Sequence, residues 1–293
     1  MALSSDGFDG MTEKRKGLLA ERAAGSRVQR VSAHVNHGGG SRPSVSGSLR
    51  LPAHYAATRA QRLFSGLSIV AAFLVLGALA LRIATALDLA QWWVPLAFVG
   101  GMAAADFGSG LVHWGADTWG RDDFPVIGHR LLVPFRVHHI NPDDFLERRF
   151  VDTNGDVAGL AVPVLLGFLA VPLESGWGGA VAVFGFAFCG IGMMTNQIHQ
   201  WAHMSSPPPP IRVLQSCGLV LGRSEHAAHH ERPYDGHYCI TTGWCNRPLE
   251  AIGFFRRLEA AITRLTGARP RHDDRRYEER YGVPASPAEA LDG

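Results

Sequence analysis

The stretch WVPLAFVGGMAAADFGSGLVHWGAD, from Trp93 to Asp117, sets the reading of the whole chain. Trp93 to Val112 is apolar with Asp106 as its one charge, close to the roughly 20 residues a helix needs to cross a hydrocarbon core. The stretch then delivers His113 and Asp117 at i, i+4, on one helical face. An apolar run that ends in such a pair predicts a membrane helix with chemistry at its end.

Working outward, three more runs have this character: Leu63 to Leu87, interrupted by Arg82, then Val157 to Leu173, then Gly178 to about Thr195. Together they predict an all-α integral membrane protein with four transmembrane helices; buried helices of a water-soluble all-α protein are the weaker reading. Ile211 to Leu221 is too short to span, and Ala251 to Leu265 has helical periodicity with Arg256, Arg257 and Arg264. Both are expected to lie as interfacial helices. Pro207 to Pro210 is expected to end the fourth helix region.

Residues 1–55 are rich in Gly, Ser, Arg and Lys without apolar periodicity, and are expected to form a flexible basic tail rather than a cleaved secretory signal. Residues 56–266 then form the membrane-embedded domain, and 267–293 a charged C-terminal tail. The net charge of +2 gives no argument for a nucleic-acid partner. Cys189, Cys217, Cys239 and Cys245 have neither CxxC spacing nor the look of a disulfide framework.

Basic residues set the orientation. Ten Lys/Arg precede Leu63, the middle segment carries Arg121, Arg130, Arg136, Arg148 and Arg149, and the C-terminal part carries twelve arginines. The loops Ala84–Trp92 and Pro172–Trp177 have none. By the positive-inside rule both termini and the middle segment are cytoplasmic, in a bacterial inner membrane, and every clustered histidine falls on that side.

Fourteen histidines are present, ten of them between His113 and His237. Four groups feed one site: His113 with Asp117; His138 and His139; Asn196 with His199 and His203; and His226, His229 and His230. The last three, at i, i+3 and i+4, are expected on one helix face pointing at a common metal. Eight histidines exceed the four ligands of one zinc ion, so two ions with mainly imidazole ligands are expected, and iron suits oxygen chemistry. Zinc hydrolysis is the rival, but no HExxH occurs. Asp117 is expected to orient a histidine more than to bind metal directly. Asn196 serves either a metal-bound water or the polar groups at the span end. His129 and His237 are expected as surface histidines, like His34, His37 and His54. Asp152, Asn154 and Asp156 are expected to form an Asx turn leading into the third span. Arg130 and Arg136 are candidates for holding a phosphate, or are simply solvated.

These residues carry a resemblance. His113-Trp…Asp117-Thr-Trp-Gly, Pro134-Phe-Arg-Val-His-His139 followed by Pro142, Thr153-Asn-Gly-Asp156, Asn196-Gln-Ile-His199…His203, His226-x-x-His-His230 and Cys239-Ile-Thr-Thr-Gly-Trp244…Pro248-Leu-Glu250 resemble the Kua-type lipid desaturases, closest to the plasmanylethanolamine desaturase branch with its bacterial CarF-type members. The resemblance runs from about Asp106 to Glu250. It implies oxidation of a 1-alkyl ether phospholipid to its 1-alk-1′-enyl form. That reaction needs two iron ions, O2 as co-substrate and an external electron donor, an electron-transfer protein or reductase. The partners are then the ether phospholipid, that donor and membrane lipids. A plant branch desaturates an acyl chain instead, so an acyl-lipid desaturase is an alternative. A hydroxylase with the same metal site and a non-catalytic membrane metal protein are the others.

Overall fold

The computed structural model describes residues 57–125, 127–140, 145–231 and 233–271, and no strand occurs among them. The N-terminal tail with His34, His37 and His54, and the C-terminal tail beyond Arg271, lie outside the described residues. Helix α1 spans Arg59–Ala86 and α2 spans Trp93–Trp119. Thr58 starts α1 with a reciprocal cap: its hydroxyl accepts from the Gln61 amide at 3.2 Å, and the Gln61 side chain accepts from the Thr58 amide at 2.8 Å. A π-helical turn, Gly128–Leu132, runs directly into α3, Val133–Ile140. Helix α4 covers Phe150–Leu169, α5 Gly178–Gly192 and α6 Thr195–His203. The short helices α7 (Pro209–Ser216), α8 (Arg223–Ala227) and α9 (Asn246–Ala251) precede α10, Phe254–Thr266.

Helices α1 and α2 are long and apolar enough to cross a membrane, and α5 with α6, bent by 43°, makes a third candidate. The expectation of four spans is therefore met by two or three. Helix α4 starts at Phe150, well ahead of Val157, and its first turns carry Asp152, Asn154 and Asp156, which dilute its apolar run. The expected Asx turn at those residues is thus replaced by helix. Each side chain has a partner there: Asp152 accepts from Arg62 at 3.0 Å, Asp156 from Arg130, and Asn154 from the Gln197 amide at 3.1 Å.

Small residues set how closely the long helices approach. A Cβ on Gly155 would sit 2.2 Å from the Ser65 Cβ, and one on Gly159 would sit 3.3 Å from the Ser68 hydroxyl. Farther along, Arg82 donates to the Leu169 carbonyl, so α1 and α4 run parallel in contact. Gly101 does the same for α2 on α5, where a Cβ would lie 2.3 Å from the Phe184 carbonyl oxygen. Without a hydrophobic drive between helices in lipid, close backbone approach through Gly and Ser gives the dispersion contact that holds them. Ala72, Leu79, Leu165 and Ala182 are buried completely between these helices, whereas Leu63, Leu67, Leu74, Leu81 and Leu160 face outward. Outward leucines on α1 and α4 suit hydrocarbon surroundings.

The one charge inside the α2 apolar run has a structural reason. Asp106 is fully buried, and its Oδ1 accepts from the Thr241 amide (3.2 Å), the Thr241 hydroxyl (2.8 Å), the Thr242 amide (2.8 Å) and the Gly243 amide (2.9 Å). Its Oδ2 accepts from the Cys245 amide at 2.9 Å. A charge in an apolar setting is tolerated only when paired in this way. Gly243 permits the turn, at φ 77°. Asp106 thereby clamps the 239–246 loop onto α2.

Both stretches expected at the interface form helices. Helix α7 has no buried residue and starts at Pro209, where the missing N–H costs nothing. Helix α10 lies between two left-handed glycines, Gly253 and Gly267, and buries Phe255 and Glu259. Glu259 accepts from the Trp114 indole at 2.9 Å and twice from Arg271, both at 2.9 Å. The start of the charged C-terminal tail is therefore tied to α2 and α10 as far as Arg271.

Candidate metal centre

The site forms where the C-terminal end of α2 meets α3, α6 and the turn around α8. Helix α2 brings His113 and Asp117, α3 brings His138 and His139, and α6 brings His199 and His203. Helix α8 and the turn after it bring His226, His229 and His230. All eight expected histidines converge, in two groups: His138, His199, His203, His226 and His230; and His113, His138, His139 and His229. Within each group the possible ligand atoms lie within 4.8 Å of one another. His138 belongs to both.

The geometry of the first group fits a metal ion and does not fit hydrogen bonding alone. His226 Nε2 lies 2.9 Å from His199 Nε2, 2.8 Å from His203 Nε2 and 3.0 Å from His230 Nε2. His199 and His203 Nε2 are themselves 3.2 Å apart. A neutral imidazole has a single N–H, so four mutually close nitrogens leave lone pairs facing lone pairs. A cation between them removes that repulsion. With metal–nitrogen bonds of about 2.0–2.1 Å, adjacent nitrogens of an octahedral site fall about 3.0 Å apart.

Beside the second group, Asp117 Oδ2 lies 3.1 Å from His113 Nε2, 3.3 Å from His139 Nε2 and 3.5 Å from His229 Nε2. Neither Asp117 oxygen accepts a hydrogen bond, although both are buried. The reason lies on the far side of the rings. His113 Nδ1 donates to the Tyr238 carbonyl at 3.1 Å, and His229 Nδ1 to the Gly236 carbonyl at 2.7 Å. His138 Nδ1 likewise meets the Phe135 carbonyl. A carbonyl only accepts, so these rings carry hydrogen on Nδ1 and turn an Nε2 lone pair inward. Asp117 thus faces lone pairs, as a ligand does, and not the outer N–H of a ring it would orient.

Burial reinforces the neutral state. It holds His138 and His226 well below the ordinary imidazole range, assisted by neighbouring histidines. Burial, then the nearby His113, pushes His229 down to about 3, and burial with His139 pushes His230 down to about 2. Unprotonated rings at neutral pH are the form that ligates metal.

The expectation for His226, His229 and His230 is corrected in one respect. Helix α8 ends at Ala227, and the next turn is closed by His229 N–H to the His226 carbonyl (3.0 Å) and His230 N–H to the Ala227 carbonyl (3.1 Å). His226 and His230 enter the first group and His229 the second, because the tightened turn fans the rings apart. Asn196 stands outside both groups, and its side chain donates to the Thr153 carbonyl at 2.6 Å, joining α6 to α4. His237 is half-buried at φ 56° and stands outside both groups. The side chain of His129 lies outside the described residues. Arg136 is buried and donates to the Gly120 carbonyl at 3.0 Å, which directs it into the fold and not toward a headgroup. Arg130 is half-exposed and pairs with Asp156.

Several supporting groups carry no sequence signal. The Tyr238, Gly236 and Phe135 carbonyls act through the backbone, which residue type does not reveal. Gln200 is buried and donates to the Phe145 and Arg148 carbonyls at 2.8 and 3.1 Å, holding that connection against α6. Its nearest clue is its place beside His199.

One cavity reaches the histidines, and a second, larger one meets it. The larger opens between α2, α4 and α5 and is lined by Val112, Val157, Leu160, Phe188 and other apolar side chains. The smaller reaches His138 and His199 and carries Arg130, Arg148, Asp152 and Asp156 at its polar side. Leu131, Phe135, Val157 and Asn196 line both, so the two meet.

An all-helical membrane protein with two histidine groups able to hold metal at the ends of its apolar helices is the class that fold and site define. Residues 102–273 match the family model described as the lipid desaturase domain, and the chain belongs to that family. Its relatives narrow the class. The chain is 42% identical over 184 residues to a plasmanylethanolamine desaturase of Myxococcus xanthus, covering 62% of this chain and 65% of that protein. It is 42% identical over 204 residues to plasmanylethanolamine desaturase 1 of Mus musculus, covering 66% of this chain and 74% of that one. Fatty acid desaturase 4, chloroplastic, of Arabidopsis thaliana is 35% identical over 181 residues, 60% of this chain and 54% of its own length. No solved structure matches the chain.

Proposed function

We propose that this protein is a plasmanylethanolamine desaturase, an oxidoreductase converting a 1-alkyl-2-acyl-glycerophosphoethanolamine into its 1-alk-1′-enyl form. Two hydrogens leave adjacent carbons of the ether chain. With O2, two electrons from an external donor protein or reductase and two protons, they give two waters. The observation that carries the reading is the junction of the two cavities. An apolar groove fit for an alkyl chain meets a polar-rimmed pocket at His138 and His199. The first carbons of an ether chain lie a few bonds from the glycerol, so a site that oxidises them belongs at such a junction. The relatives named as plasmanylethanolamine desaturases support the same substrate.

The donor set fits two iron ions, one held by His199, His203, His226 and His230, the other by His113, His139, His229 and Asp117, with His138 between them. Those ions would supply the oxidising chemistry for C–H cleavage. The protein's own part is to hold and exclude. Carbonyls of Tyr238, Gly236 and Phe135 fix the rings, Phe135 and Leu131 keep the junction apolar, and the groove aligns the chain. Arg130 is placed to meet the substrate phosphate. We read α4 as a further crossing element beside α1, α2 and the bent α5–α6, and place the site on the cytoplasmic face, where the arginine-rich segments lie.

Expression in a host that makes alkyl ether lipids but no plasmalogens tests the reaction. The expected product releases a fatty aldehyde in mild acid. An acid-stable product with its double bond deep in the chain overturns this reading in favour of an acyl-lipid desaturase, which the fatty acid desaturase 4 relative favours.

A further inference from the structure

On the basis of that lipid desaturase reading, we propose that Arg130 and Asp156 form an exchangeable ion pair that reads a zwitterionic aminophospholipid headgroup, Arg130 taking the phosphate and Asp156 the amine. The polar pocket that reaches His138 and His199 has charges of both signs along its wall, Arg130 and Arg148 beside Asp152 and Asp156. A wall meant for a purely anionic headgroup would have no use for the carboxylates.

Within this set one pair is free to exchange. Arg130 grips Asp156 with Nε at 2.6 Å and its terminal nitrogen on the other oxygen, a two-pronged contact. Their side chains are 33% and 39% exposed. Water and a lipid headgroup can therefore reach both partners, and water screens their attraction. The same guanidinium fork fits two phosphate oxygens as well as two carboxylate oxygens. Asp152 is held differently: Arg62 pairs with it at 3.0 Å and its side chain is only 17% exposed. Exchange therefore falls on Arg130 and Asp156.

When phosphate claims Arg130, Asp156 loses its cation. An ethanolamine ammonium restores it with a charge-assisted hydrogen bond. A trimethylated amine brings charge without a donor, and a glycerol headgroup brings hydroxyl donors without charge. Neither meets the carboxylate with charge and hydrogen bond together, so Asp156 selects against those lipids.

Binding tests this apart from turnover. Native mass spectrometry of the purified full chain, loaded with iron in detergent, compares diester phospholipids of matched chains with ethanolamine, choline and glycerol headgroups. Wild type is expected to retain them in the order ethanolamine, choline, glycerol. Asp156→Asn is expected to lower the ethanolamine-to-glycerol ratio by about ten-fold, the worth of one charged hydrogen bond. Asp156→Glu keeps the order, and Arg130→Gln weakens all three lipids without reordering them. A wild type that prefers the glycerol headgroup, or an Asp156→Asn protein with an unchanged ratio, overturns the proposal; so does reordering by Arg130→Gln, which applies even if Asp156 variants do not accumulate. A wild type that binds in the expected order but forms no vinyl ether sinks the reaction and leaves the filter standing.

Discussion

Replacing Asp106 by Asn should disable a site that Asp106 never touches. Its carboxylate accepts five hydrogen bonds, four at Oδ1 and one at Oδ2, all from residues 241–245. Bonds to a charged acceptor contribute about 1.5–3 kcal/mol each against about 0.5–1.5 for neutral ones. Asparagine keeps four acceptor contacts at reduced strength and turns an NH2 against the Cys245 N–H, leaving that donor unsatisfied. Because the five share one group, the losses do not simply add, and about 3–5 kcal/mol is expected. For a chain of this size that is a fall of about 10 °C in Tm. The clamped loop also bears Cys239, whose amide donates to Asn246 at 2.8 Å, and next to it Tyr238, whose carbonyl orients His113. Iron bound beside His113 should therefore be lost as well. Thermal unfolding in detergent micelles and elemental analysis read both effects. Thr241→Val, which removes only the 2.8 Å hydroxyl bond, should cost about 1 kcal/mol. An Asp106→Asn protein melting within about 2 °C of wild type with its iron intact would refute the clamp.

Three further outcomes are expected. His199→Ala and His230→Ala should each abolish product while the protein still accumulates in the membrane, whereas His237→Ala should retain substantial activity, because His237 stands outside both groups; equal loss in lipid analysis would show that the ligand set is misassigned. Asp117→Asn should lower elemental iron from two per chain to one, since a group that merely oriented a ring would cost only about 10–100-fold in affinity and leave both ions bound at saturation. Gly155→Leu should destabilise the α1–α4 contact by roughly 1–3 kcal/mol, read as a lower Tm, while Gly167→Leu, where a Cβ meets nothing within 4 Å, should melt like wild type.

The sequence by itself determined the two longest apolar helices and the histidines that converge, because both rest on local rules. Apolar length announces a span for α1 and α2, and i, i+4 spacing puts His113 beside Asp117 and His199 beside His203 whatever the rest of the chain does. The eight histidines were legible for the same reason. Tertiary structure alone decided how they divide. His138 and His139 are adjacent in sequence yet only His138 joins both groups, and His226 and His229 share a turn yet enter different groups, since the assignment depends on which distant helix end each ring meets. It also decided that Asp117 faces ring lone pairs, because the Tyr238 carbonyl that claims the other nitrogen of His113 comes from 125 residues away. Asp152, Asn154 and Asp156 look like a turn in isolation. They are helical because Arg62, Gln197 and Arg130 satisfy them across the bundle. A charge such as Asp106 within an apolar run signals function or structure alike; only the loop folded over it shows that here it holds the site together.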